Sequence, residues 1–317
     1  MRVSPSAFEV LTMGRIGVDL YPQQVGVGLD EVESFGKYLG GSASIVAVAA
    51  ARYSRRSAVI TRTGDDPFGD VAVQELRDFG VDTTYAAVQP DGVTPLAFAV
   101  LDPPEDPQLH SGEVPASVVA DVGVLWISGG ALAQEPSRGT VQEMLASRGR
   151  ARHTVLDLDY RPMFWPSREE ARRWVQRALP YVTVAVGNLD ECETAVGERE
   201  PLAAARALHG FGVKLAVVKQ GPKGVLAHDG TTATEVKPVP VDVMNGLGAG
   251  DAFGGALCHG LLAGWDIERV MRFANAAGAI VASRLACSDA MPTAAEVDGL
   301  LAPEAQETGG PREATSA

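Results

Sequence analysis

Cysteine is scarce in this chain: its 317 residues hold only Cys192, Cys258 and Cys287. An odd, small number of thiols in helix-like segments excludes a disulfide-built scaffold and predicts reduced side chains. His110, His153, His209 and His228 stand at no metal-ligand spacing with any of these cysteines, so no zinc-type centre is legible. Positive charge is also in deficit, with 27 Lys and Arg against 40 Asp and Glu, a net of −13. That balance argues against general binding to nucleic acid or an anionic membrane, although local donors still suffice for a small anion. No run reaches the roughly 18 apolar residues of a transmembrane helix, and Met1-Arg2-Val3-Ser4-Pro5 has no apolar leader core. The expectation is a soluble, cytoplasmic protein. The first apolar strand leads into Gly14-Arg15-Ile16-Gly17-Val18-Asp19 instead of GxGxxG, which disfavours a dinucleotide-dependent dehydrogenase.

What is present is an ordinary globular mixture, 46% hydrophobic and 21% charged, long enough for one large domain or for a domain with an appendage. Apolar β-rich runs at Val10–Gly17, Ser57–Arg62, Val122–Ser128, Thr154–Leu158, Val182–Gly187 and Lys214–Lys219 alternate with helical patterns. The helix candidates are Ser42–Tyr53, Phe68–Asp78, Pro136–Ser147, Arg168–Arg177, Pro201–His209, Ala249–Leu262 and Ile267–Arg284. Continuous apolar strands between helices predict an α/β fold: an open, mostly parallel sheet with helices on both faces and ligands beyond the strands' carboxyl ends. Two stretches, 19–37 and 94–113, lack helical period and are expected to pair as a small β lid. The segment 1–302 reads as one domain, and 303–317, with Gly309-Gly310-Pro311, reads as a disordered tail.

The most informative run is Asn245-Gly246-Leu247-Gly248-Ala249-Gly250-Asp251, leading into the apolar pattern Leu257, Leu261, Leu262. Glycines clear side chains from a turn into a helix, and the N–H groups of Gly248, Ala249 and Gly250 would form an anion hole. Asp251 is a carboxylate where a phosphate is attracted, which suits a base taking a proton from a hydroxyl that attacks phosphorus. As a helix N-cap, it would have no such role. Gly40-Gly41 opens an Ala-rich helix and permits close backbone approach to a ligand. Asp19, after an apolar strand, suits vicinal hydroxyls; a strand-end turn is the alternative. Asn188 and Glu191 lie three apart at a helix start, facing one site or simply capping the helix with a solvated Glu. Lys219, Gly221 and Gly224 form a strand–turn–strand unit, a nucleotide cradle or a plain hairpin. His259 and the pair Phe164-Trp165 read as packing.

Together these residues resemble the ribokinase-like (PfkB) family of carbohydrate kinases, from about Gly14 to Leu301. Gly40-Gly41, Gly64-Asp65-Asp66-Pro67-Phe68-Gly69, Asp157-Leu158-Asp159-Tyr160-Arg161, Gly187-Asn188-Leu189-Asp190-Glu191, Lys219–Gly224 and Gly248–Asp251 stand in family order. More narrowly, Thr61–Phe68, Asp157–Trp165, Val217–Val225 and Asn245–Ala295 look like the 5-dehydro-2-deoxygluconokinase branch of inositol catabolism. The resemblance implies ATP-dependent phosphorylation of a primary hydroxyl on a sugar or sugar acid, with Asp251 as base. It implies acceptor contacts from Asp19, Gly40, Gly41 and Arg161, and nucleotide contacts from Lys219, Gly221, Gly224 and Asn275. Magnesium would be organised indirectly by Asn188 and Glu191. For Arg161 the phosphates, the acceptor's acid group, and an ion pair with Asp157 or Asp159 all stay open. A homodimer through the lid and a monovalent cation near Asn245 are further expectations.

Three departures bear on function. Ile45 stands where the family's Ser-Ala-Thr-Asn run places an amide on the sugar. The segment Leu96–Val118 is shorter than in the inositol-pathway kinases and lacks their aromatic strand. Asn245 replaces the Asp that ribokinases carry near a monovalent cation, which weakens a potassium requirement. A kinase for another sugar, or a nucleotide-binding paralogue of low activity, therefore remains an alternative to the inositol-pathway acid.

Overall fold

Strands that are apolar on both sides need cover on both faces, and this chain supplies it. The computed structural model describes residues 7–24, 31–98, 109, 112–244, 246–284 and 288–307. In chain order the strands are β1 (Val10–Met13), β2 (Gly17–Pro22), β3 (Phe35–Gly40), β4 (Ser57–Gly64), β5 (Ala86–Gln89) and β6 (Leu96–Phe98). They continue as β7 (Val124–Ser128), β8 (His153–Asp157), β9 (Val184–Asn188), β10 (Leu215–Lys219), β11 (Val225–His228) and β12 (Ala233–Val236). The helices are α1 (Ser42–Arg52), α2 (Pro67–Asp78), α3 (Ala116–Asp121), α4 (Ser137–Arg148) and α5 (Arg168–Ala178). After them come α6 (Leu189–Val196), α7 (Pro201–Gly210), α8 (Ala249–Ala263), α9 (Ile267–Ala282) and α10 (Ala294–Glu307).

Among the described residues, nine strands form one sheet in the order β12-β11-β10-β9-β8-β7-β1-β4-β5. Its pairings are parallel except β10–β11 and β11–β12, an antiparallel edge formed by the hairpin after Lys219. The strand period of two sends Val10, Val124, Trp126, Val155 and Val217 to a core shared with α1, α8 and α9. Leu11, Leu125, Ile127, Leu156 and Val218 face the opposite core, closed by α4 to α7. Each fully buried Leu or Ile contributes about 1.5–3 kcal/mol, which is why the sheet tolerates no polar face.

The strand expected over Val10–Gly17 is two strands in two sheets. A Cβ at Gly14 would stand 2.8 Å from Ala43 Cβ, so the chain there is pressed against α1. It turns out of the main sheet, and β2 enters a separate three-stranded sheet of order β3-β2-β6. Register pairs Asp19 with Tyr38 on antiparallel β3 and with Ala97 on parallel β6. This small sheet corresponds to the expected lid, but its strands are 17–22, 35–40 and 96–98, not the whole of 19–37 and 94–113. Residues 25–30, 99–108, 110 and 111 of those stretches lie outside the described residues. Helix α10 crosses the boundary expected at 302, and the rest of the expected tail, 308–317, also lies outside them.

Two glycines decide how α8 meets α1. A Cβ at Gly254 would come within 2.7 Å of the Trp126 ring, and one at Gly255 would overlap Ala49. With no side chain between them, the two helices pack backbone to backbone, and the first turn of α8 arrives beside the first turn of α1.

Candidate active site

The residues singled out by sequence converge at the carboxyl ends of the parallel strands, where open sheets of this kind hold ligands. Asp157 ends β8, Asn188 ends β9, Lys219 ends β10, and Asp251 lies in the first turn of α8. Gly248 is the N-cap of α8, left-handed at φ 78°, with no side chain capping the helix. Asp251 is therefore not the cap, and its carboxylate accepts a 2.5 Å hydrogen bond from Ser42 Oγ, across the α1–α8 contact. Burial is the largest influence on Asp251, opposed by the Ser42 bond and reinforced by nearby Asp159; its pKa is raised to about 7. A carboxyl that changes state near neutrality, beside an anion-attracting helix start, is matched to taking a proton from an alcohol.

Lys219 sits among carboxylates. Burial works against its charge, but Asp157, Glu191, Asp251 and Asp159 together hold it protonated. A Cβ on Gly250 would lie 3.5 Å from Lys219 Nζ, so the ammonium faces the first turn of α8. Asp157 is 5% exposed, burial lifts its pKa well above the usual carboxylate range, and its Oδ1 has no hydrogen-bond partner. Buried orphan acceptors are rare in native folds, and this one points to a cation or donor that arrives with a ligand. Asp159, at φ 25°, accepts from Ser128 Oγ at 2.8 Å and from Arg161 Nε at 3.0 Å.

Asn188 and Glu191 form a capping box: Asn188 Oδ1 accepts from Glu191 N at 3.0 Å, and Glu191 Oε2 accepts from Asn188 N at 2.6 Å. The pair does cap α6, yet Glu191 is 8% exposed and not solvated, and its charge is felt by Lys219 and Asp157. Among the described residues no three acidic, His or Cys side chains stand close enough to cage a metal. Magnesium characteristically keeps several waters and needs few protein ligands, so such a cage is not required for it.

Lys219, Gly221, Gly224 and Asn275 line one cavity of about 760 Å³ with Ala249, Gly250 and Phe253. Its far wall is the strap Pro238-Val239-Pro240-Val241. Gly221 and Gly224 have φ of 58° and 95°, and a Cβ at Gly224 would overlap Val236 O. Asn275 Nδ2 donates to Lys237 O at 2.7 Å, which ties the strap to α9. At the other end, the Asp19 carboxyl rests against Gly40, and Gly41, φ 92°, packs on the carbonyl of Arg15. Burial raises the Asp19 pKa to about 6, with Arg15 opposing. Asn245 lies outside the described residues.

Ser42, Ser128, Asp157, Asp159 and Arg15 were not singled out as site residues by the sequence. Asp157 and Asp159 share a motif with Arg161, and Ser42 follows Gly40-Gly41, so position offered a signal that residue chemistry did not. Arg161 forms an ion pair with Asp159, its side chain 57% exposed. Ile45 is 2% exposed within the α1–α8 core. His259 packs between Tyr53, Trp265 and Phe273, as expected of a packing residue.

Comparison with known proteins places the whole chain. A family model described as pfkB family carbohydrate kinase matches residues 7–294. A 5-dehydro-2-deoxygluconokinase of Geobacillus thermodenitrificans is 32% identical over 314 residues, covering 92% of this chain and 93% of that one. A fructokinase from Vibrio cholerae, with fructose, ADP and calcium bound, superposes with a TM-score of 0.80 at 26% identity, covering 93% and 99% of the two chains. A fructokinase from Xylella fastidiosa, solved with ATP, reaches 0.82 at 22% identity over 94% and 99%, a likeness of fold alone. With a family match that spans residues 7–294 and a relative 32% identical over most of both lengths, the chain belongs to the pfkB family of carbohydrate kinases.

Proposed function

We propose that this protein transfers the γ-phosphoryl group of ATP to the primary hydroxyl of a sugar acid, with 5-dehydro-2-deoxygluconate as acceptor. The observation that carries the chemistry is Asp251, raised to a pKa of about 7 and aligned by Ser42 at the open start of α8. Its carboxylate takes the hydroxyl proton as the alkoxide oxygen attacks phosphorus and the bond to the departing ADP breaks. The N–H groups of Gly248, Ala249 and Gly250 receive the charge that grows on the transferred group. Lys219 adds a fixed positive charge on the same side. The cavity from Gly221 to Asn275 takes the nucleoside, and Asp19 with Gly40 and Gly41 takes the acceptor under the three-stranded sheet, which serves as the lid. Magnesium, when bound, neutralises phosphate charge; Asp157, with its orphan oxygen, and Glu191 supply the acidic surroundings that suit it.

Support for the acid as substrate comes from the relatives named for it. Ile45, 2% exposed in the α1–α8 core, lies away from the acceptor and does not discriminate between sugars. The enzyme is assigned to the cytoplasm, without nucleic-acid or membrane partners, in keeping with its charge of −13 and with the lack of any described helix long and apolar enough to span a bilayer. Two copies pair through the lid sheet. ADP release measured with Mg-ATP and a panel of sugar acids, hexoses and pentoses tests the assignment. The acid should give the highest kcat/KM; a neutral sugar favoured tenfold or more over it would transfer the assignment to that sugar.

A further inference from the structure

Helix α2 is tied to both neighbours of β2 in the small sheet. Asp66 caps the helix, its Oδ1 accepting from Phe68 N and Gly69 N, each at 2.9 Å. The second oxygen, Oδ2, is not needed for the cap and reaches out of the helix, accepting from Thr94 N at 2.6 Å. Thr94, 1% exposed, is held from the other side as well, where its Oγ1 accepts from Gly64 N at 3.0 Å. Three segments meet closely here: a Cβ at Gly64 would stand 2.5 Å from Asp66 Oδ2, and one at Gly69 would stand 2.9 Å from Thr94 Oγ1. Burial opposes the charge of Asp66, but the bonds from Thr94, Gly69 and Phe68 outweigh it and hold the carboxyl below its ordinary value. Farther along α2, Glu75 takes a backbone hydrogen bond from Leu39, on β3.

We propose that Asp66 is a positioning residue for the acceptor: by holding Thr94 it fixes β6 beside β2, and so fixes Asp19. The inference rests on the kinase reading above, in which Asp19 meets the acceptor. The path between them is short. Thr94 is followed by Pro95, whose carbonyl accepts from Val18 N at 2.9 Å, and Asp19 is the next residue. From there the parallel register pairs Val18 with Leu96 and Asp19 with Ala97. Strand β6 has three residues, so few ladder bonds hold it, and the clamp on Thr94 stands at its entrance. On the other side of β2, Leu39 pairs with Val18, so Glu75 steadies β3 from the same helix. An N–H bond to a carboxylate is about twice as strong as a neutral one, which suits a fastening between two sheets. Serine or asparagine would cap α2 as well as aspartate does, but neither offers the second acceptor oxygen that Thr94 uses.

The test uses Asp66→Ser and Asp66→Asn in the full chain, since each keeps an oxygen for the cap and removes the acceptor that faces Thr94 N. ADP release with 5-dehydro-2-deoxygluconate and with fructose gives KM for the acceptor and for Mg-ATP; melting curves and amide hydrogen exchange report on the fold. KM for whichever acceptor wild type phosphorylates should rise about 5–30-fold, as loss of a bond to a charged group implies, while KM for Mg-ATP changes less than about twofold. Exchange should quicken in residues 17–22 and 94–98 and stay unchanged in the second half of α2. Asp66→Asn decides the matter if Asp66→Ser melts below assay temperature. Ser167→Ala, which uncaps the remote α5, should lower the melting temperature without moving either KM, so that lost stability is told apart from lost position. Folded variants with an unchanged acceptor KM, or with equal rises for acceptor and Mg-ATP, overturn the role of Asp66. A wild type that phosphorylates neither the acid nor fructose removes the acceptor reading itself, and the positioning role with it, before any variant is made.

Discussion

Removing the Ser42 hydroxyl should displace the enzyme's pH response without destroying its chemistry. Ser42 Oγ donates to Asp251 at 2.5 Å, and that bond favours the ionised carboxylate against the dominant effect of burial. A hydrogen bond to a charged group is worth about 1.5–3 kcal/mol, part of which water recovers in Ser42→Ala, and one pKa unit corresponds to about 1.4 kcal/mol. The Asp251 pKa should therefore rise by about one unit, from about 7 to about 8. At pH 7 the ionised fraction then drops from about a half to about a tenth, a roughly fivefold loss of kcat/KM, while near pH 9 the two proteins differ by about a tenth or less. The assay is kcat/KM for the acceptor by ADP release, from about pH 5.5 to about pH 9.5. An acid limb that stays in place, or a loss of equal size at every pH, refutes the claim that Ser42 tunes the base; it would instead be a packing residue of α1.

Asp251→Asn should lower turnover by about 10²–10⁴ with Mg-ATP binding little changed, and more than a tenth of wild-type turnover counts against Asp251 as base. The same variant should be more stable than wild type at pH 8, by about 1–3 kcal/mol, because the folded-state pKa is raised and ionising the native carboxyl costs stability as pH climbs from about 4 through about 7. Thermal melts should show that gain shrinking as pH is lowered towards 4, where the native carboxyl is neutral and the unfolded one is only about half ionised; a gain independent of pH would break the link to its titration. Gly255→Val should cost about 1–3 kcal/mol and lower kcat, since a Cβ there overlaps Ala49 and pushes the base from Ser42. A variant with wild-type melting and activity would show that the α1–α8 spacing does not control the site.

The glycine-rich turns at the proposed phosphate and nucleotide end were legible because their signals are local. Glycines at 246, 248 and 250 before an apolar helix, or Gly221 and Gly224 in a hairpin, carry their meaning within a few residues. The Ser42–Asp251 bond joins positions 209 apart, and nothing in either neighbourhood announces it. It exists because Gly254 and Gly255 admit α1, a packing event that periodicity does not encode. The split of Val10–Gly17 into β1 and β2 has the same origin: the apolar run is continuous, and the break comes from Gly14 lying against Ala43. Asn188 and Glu191 illustrate a limit of spacing arguments, since one separation of three residues serves a capping box and a buried acidic group at once. Asp66 was quoted only within the Gly64–Gly69 run, because its partner Thr94 lies 28 positions away.

The bare contact between α8 and α1 also separates two kinds of change during evolution. Asp251 and Ser42, the proposed base and its hydrogen-bond donor, ride on one joint whose contact at Gly254 and Gly255 is buried, whereas β2, β3 and β6 form a separate sheet. On the proposed reading, change in the small sheet would alter which acceptor is presented and leave the Ser42–Asp251 alignment intact. A lineage built this way explores new acceptors by editing peripheral strands, and meets a penalty at once when the joint itself varies.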